Sequence, residues 1–120
     1  MEPSCTDGIL NLAVALDHIG GDRELLEEVA GLFLEHSPGL MARIKEAVEA
    51  GDSYRLERAA HALKGSAGNF AAEPTVQAAL RLEKMGRSQD LGGVAEAYHE
   101  LENEMGRLCP VLAEIAGSRP

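Results

Sequence analysis

Apolar residues recur along this chain at helical spacing, and Gly, Pro, Asn and Asp punctuate them where helices should begin and end. Asn11 is placed to cap a short helix carrying Leu12, Val14, Leu16 and Ile19, closed by Gly20-Gly21. Asp22 caps a longer helix that runs to about His36, with Leu25, Val29, Leu32 and Phe33 as its buried stripe. Ser37-Pro38 predicts a stop and a new start, Pro taking the first helical position, and Leu40, Ile44, Ala47 and Val48 carry the next stripe to Gly51. Asp52 caps a helix over residues 53–70. After a junction at residues 71–74 another helix runs to Met85, where Gly86 is expected to end it. Asp90 opens the last helix, whose stripe is Leu91, Val94, Tyr98, Leu101, Met105, Leu108 and Leu112. Pro110 should kink that helix or break it near its end, and residues 117–120 should fray.

Short connections between amphipathic helices favour antiparallel neighbours. The expected fold is therefore all-α: an up-and-down antiparallel four-helix bundle with a short extra N-terminal helix. At 120 residues the chain is one domain, its core spanning about residues 10–116 with flexible termini. With no Trp, two Tyr and two Phe, that core must be built mostly from Leu, Ala, Val and Ile.

Charge narrows the partners. The net charge is −9, which disfavours nucleic acid and anionic lipid. No apolar run approaches the ~20 residues that span a membrane, and Asp7 and Asp17 interrupt the only stretch resembling a leader. Cys5 and Cys109 form no CxxC or metal-type spacing and are expected as reduced thiols in the cytoplasm. His18, His36 and His99 show no ligand spacing, so no metal site is expected.

His61 stands apart. With Leu63 at the centre of its helix's core face, Leu56, Ala67 and Phe70 fall within about 40° of that centre, and His61 lies roughly 160° away. Tyr54, Arg58, Gly65 and Gly68 surround its direction, and Lys64 follows one turn on. A lone exposed histidine is usually an ordinary surface residue. Two glycines on its face, each costing ~1 kcal/mol of helix propensity, suggest clearance for an approaching protein. The alternative is that the helix ends there, with Gly68 as a left-handed cap.

The segment His61-Ala62-Leu63-Lys64-Gly65-Ser66-Ala67-Gly68-Asn69-Phe70 resembles the phosphorylation motif of histidine phosphotransfer (HPt) domains, whose core is His-x-x-Lys-Gly-Ser. The resemblance extends to Gly21-Asp22-Arg23-Glu24-Leu25-Leu26 with Leu32-Phe33, to Ala50-Gly51-Asp52, and to Leu82-Glu83 with Gly86. It covers about residues 10–112 and departs at Ala71-Ala72, where the family often has Gly-Ala, which leaves the local turn geometry open.

The resemblance implies phosphorelay signalling: His61 would take a phosphoryl group from a receiver-domain aspartyl phosphate and pass it to another receiver. Lys64 would stabilise the phosphate. Glu83 falls where many HPt domains place a Gln or Glu that orients the imidazole; an ordinary surface ion pair with a nearby Arg or Lys is the other reading. Tyr54, Arg58, Gly65 and Gly68 would face the docking receiver. The partners are then response-regulator receivers, possibly with a hybrid sensor kinase in the same chain, and the module is expected to be a monomer. Mg²⁺ would reside on the receiver and no cofactor on this chain. Without a Gly-rich phosphate loop, it should be a phosphocarrier and not an enzyme with its own ATP site. Rival readings are a helical adaptor that never carries phosphate, a chemotaxis-kinase-type HPt domain phosphorylated by a separate ATP-binding domain, and the dimerising phosphoacceptor hairpin of a sensor kinase. The last typically has an acidic residue after its histidine, where Ala62 stands here.

Overall fold

The computed structural model describes residues 8–117 and contains five helices: α1 (Leu12–His18), α2 (Arg23–Ala50), α3 (Ser53–Gly68), α4 (Glu73–Ser88) and α5 (Val94–Gly117). Cys5 and residues 118–120 of the tail lie outside the described residues. Packing runs in a ring, α2 on α3, α3 on α4, α4 on α5 and α5 back on α2, with α1 against α2. Short connections between ring neighbours give the up-and-down bundle, 44 Å long and 22 × 21 Å across. The side chains of Asn11, Asp22 and Asp52 accept from the backbone N–H groups of Val14, Leu25 and Arg55 at 3.0–3.1 Å, the N-caps that the sequence places there.

The largest departure is at Pro38, which lies inside one continuous α2 instead of dividing two helices. Proline in a helix interior costs about 3 kcal/mol. Pro38 is exposed, however, and the segments on either side bury Leu26, Phe33 and Ile44 in the common core, each worth roughly 1.5–3 kcal/mol. Burial on both sides outweighs the lost backbone bond, and His36 sits mid-helix instead of ending one. The buried face of α2 is also rotated by one residue. Leu26, Ala30, Phe33 and Ser37 point inward, while Leu25 and Leu32 are exposed. Small Ala30 and polar Ser37 hide this face from a reading weighted toward large apolar residues.

Pro110 does not break α5; Val111, Leu112 and Ile115 are buried beyond it. That helix begins at Val94 and not at Asp90, because Gly92-Gly93 intervenes with Gly93 at φ +83°. Asp90 Oδ1 instead accepts from Gly92 N at 3.2 Å within the turn. Gly86, expected to end α4, is buried within it, and Gln89 at φ +59° is the left-handed cap. A Cβ on Gly86 would lie 2.7 Å from both the backbone N of Glu57 and the carbonyl O of Ser53. Gly86 is therefore the point where α4 meets the backbone of α3.

At the end of α3, Phe70 is buried edge-on to Phe33, with ring centroids 5.6 Å apart. The chain reverses through Ala71 at φ +51°. Left-handed backbone costs an L-residue roughly 1–2 kcal/mol, which glycine avoids. Ala71→Gly should therefore raise stability by about 0.5–1 kcal/mol in a thermal or urea melt. Gly86→Ala should lower it by about 1–3 kcal/mol despite alanine's better helix propensity, because backbone atoms on α3 cannot step aside. An Ala71→Gly protein no more stable than wild type would contradict the first assignment, and a Gly86→Ala protein no less stable than wild type the second.

Candidate functional site

The buried stripe of α4 is Thr75, Ala78, Ala79, Leu82, Glu83 and Gly86. Glu83 belongs to this stripe one turn before the close crossing at Gly86, which sets it against α3. Its side chain is only 2% exposed, far deeper than an ordinary surface ion pair would place it. On α3, Leu56, Ala59, Ala60, Leu63 and Ala67 face the core, and the His61 side chain on the other side is 67% exposed.

The two helices bring four charged or titratable groups to the Glu83 carboxylate or its immediate neighbours. His61 Nδ1 lies 2.9 Å from Oε2. Arg87 Nη2 donates to the same oxygen at 2.7 Å. Lys64 Nζ forms an ion pair with Oε1 at 2.7 Å. Arg87 Nε also donates to Glu57 Oε2 at 3.2 Å, which ties α4 back to α3 one turn before His61. The alternatives left open for Glu83 thus coincide: it touches the imidazole and it is ion-paired, but as a buried group.

Burial pushes the Glu83 carboxyl up, yet its contacts with Lys64 and His61 together outweigh burial and hold it below the ordinary value of 4.5. It is therefore a carboxylate near neutral pH and can only accept. The proton of the contact belongs to Nδ1–H; in the neutral ring the lone pair is then on Nε2, which has no partner among the described residues.

Lys64 is partly covered. Tyr54 and Arg58 are exposed on the His61 side of α3, about two turns and one turn before it, the guanidinium over the Tyr54 ring at 5.8 Å from its centroid. Gly65 and Gly68 lie in regular helix with no positive φ, and a Cβ on either would meet nothing within 4 Å. Gly68 is not a left-handed cap; Ala71 holds that conformation. Arg87 and Glu57 belong to this cluster and escaped the sequence reading. Each lies four residues from a recognised member, Arg87 from Glu83 and Glu57 from His61, but their pairing depends on the α3–α4 crossing. Among the described residues no group of three or more His, Cys, Asp or Glu could hold a metal ion. His99 instead contacts Glu102 within α5, at 3.1 Å.

Because the folded value of Glu83 lies below the unfolded one, the native state binds fewer protons, and acid favours unfolding. This contribution is present above pH 4.5 and is lost as pH falls through the lower, folded value. Urea denaturation of the wild type and Glu83→Gln from pH 6 to pH 3 should show a smaller loss in the variant. Parallel losses would mean that Glu83 carries no such linkage.

No described helix is long and apolar enough to cross a membrane. Neither a curated protein nor a solved structure matches the chain. The family model of the Hpt domain matches residues 28–109, more than half of the chain and all of the cluster around Glu83. Hpt domains are phosphocarrier modules that interact with response-regulator receiver domains in phosphorelay signalling. With a helical bundle, the His-x-x-Lys-Gly-Ser segment on its α3 and a family match that spans both, this chain belongs to the Hpt domain family.

Proposed function

We propose that His61 Nε2 takes a phosphoryl group from the aspartyl phosphate of one receiver domain and passes it to the aspartate of another. The observation that carries this reading is the 2.9 Å contact of Nδ1 with a buried carboxylate, on a ring otherwise open to solvent. In the uptake step the Nε2 lone pair forms the N–P bond while the P–O bond to the donor aspartate breaks, and its carboxylate leaves with the electron pair. The ring becomes a phosphoimidazolium whose positive charge is shared with Nδ1–H, against the Glu83 carboxylate. Displacement by the acceptor aspartate reverses the charge change, and no proton needs to enter or leave.

Lys64 supplies positive charge near the transferred group; its ammonium has three donors, and Glu83 occupies one side of it. Tyr54, Arg58, Gly65 and Gly68 form the face that meets the receiver. Mg²⁺ belongs to the receiver, and this chain needs no cofactor and no ATP site of its own.

Mixed with a panel of phosphorylated receivers, the wild type should gain acid-labile label and His61→Gln none, with an unchanged helical circular dichroism spectrum. ATP and Mg²⁺ alone should label neither protein. Full labelling of His61→Gln would remove the reading.

Gly68→Leu tests the docking face. A Cβ at this position meets nothing within 4 Å, and helix propensity favours leucine by up to ~1 kcal/mol, so the melting temperature should hold or rise. Transfer should fall sharply because the receiver's approach is obstructed. Lower stability with transfer retained would contradict a docking role for that position.

A further inference from the structure

We propose that Arg87 is a positioning residue for phosphotransfer, a strut between α3 and α4 that fixes the Glu83 carboxylate and, through it, the imidazole of His61. This rests on the reading of His61 as the phosphate carrier. The Arg87 side chain is 58% exposed, yet its guanidinium is engaged inward at two points. Nη2 reaches Glu83 Oε2 at 2.7 Å along α4, and Nε reaches Glu57 Oε2 at 3.2 Å across to α3. Glu57 precedes His61 by one turn on α3, and Glu83 precedes Arg87 by one turn on α4. His61, Glu83, Arg87 and Glu57 therefore close a four-cornered link between the helices just where Gly86 lets the backbones meet.

The consequence lies in the geometry of Oε2. A carboxylate oxygen has two lone-pair directions. With Arg87 occupying one, the other is left for Nδ1–H of His61. Lys64 holds the opposite oxygen alone and, as a point charge on a flexible stem, fixes no plane. The two-point guanidinium sets that plane. A lysine at position 87 could make one of the two contacts but not both in that geometry.

The test compares wild type, Arg87→Ala, Arg87→Lys and, as a control, Arg81→Ala. Arg81 is on the same helix with the same charge but pairs with Glu100 of α5 at 2.8 Å, away from the site. Three quantities are measured: the initial rate of transfer from a phosphorylated receiver, the His61 tautomer by long-range ¹H–¹⁵N NMR, and the melting temperature. Arg87→Ala should slow transfer roughly fivefold and shift the ring away from the Nδ1–H form. Arg87→Lys should lie between it and wild type, and Arg81→Ala should match wild type in rate and tautomer. In a Glu83→Gln background, Arg87→Ala should add no further slowing.

Arg87→Ala with wild-type rate and tautomer would overturn the proposal, even with a lower melting temperature. Slowing that persists in full without the Glu83 carboxylate would also overturn it, since Arg87 would then act on the receiver directly. A wild type that accepts no phosphate would instead remove the functional reading, while the tautomer comparison would still decide whether Arg87 positions the ring.

Discussion

A carboxylate as deeply buried as Glu83 must be met by donors, because an isolated charge in a protein interior is far costlier than any single packing defect. Lys64, Arg87 and His61 meet it, and that requirement organises the surrounding structure. Glu57 and Glu83 balance Lys64 and Arg87, so the cluster is neutral when the imidazole is neutral, within a chain of net charge −9. Because every member is on α3 or α4, the site depends on how those two helices cross.

Gly86 sets the crossing. Its missing side chain lets α4 touch the backbone of α3 at Ser53 and Glu57. One turn earlier on α4 the same approach places Glu83 beneath His61. A one-turn offset in each helix then puts Glu57 opposite Arg87 and His61 opposite Glu83. The histidine is thereby gripped at Nδ1 while the rest of its ring faces solvent. An exposed side chain would otherwise sample several rotamers; here the buried carboxylate narrows them without covering the ring.

Much of this was legible in the chain. The N-caps at Asn11, Asp22 and Asp52, the outward direction of His61 and the all-helical bundle follow from local chemistry and a 3.6-residue period. The departures have a common cause in tertiary packing. Pro38 reads as a helix stop because local propensity is judged one segment at a time, whereas burial of Phe33 and Ile44 couples the two sides. Gly86 reads as a terminator because a glycine needed for close approach looks the same in sequence as one needed for a left-handed cap. Conversely, Ala71 holds the left-handed position, which no propensity rule assigns to alanine. Arg87 and Glu57 went unseen because cross-helix pairing has no signature within either helix. The surface ion pair expected as one reading of Glu83 is buried instead, because nothing in its own helix gives a reason to bury a charge until its partners on the neighbouring helix are known.

The claim on which the rest hangs is that Glu83 holds Nδ1 and so presents Nε2 for reaction. It is tested most directly by phosphorylating ¹⁵N-histidine-labelled protein from a cognate receiver and locating the phosphorus on the ring by ³¹P and long-range ¹H–¹⁵N NMR. A phosphoryl group on Nε2 of His61, with Nδ1 still bearing its proton, is the result this geometry requires; a phosphoryl group on Nδ1, or on a different residue, would contradict it.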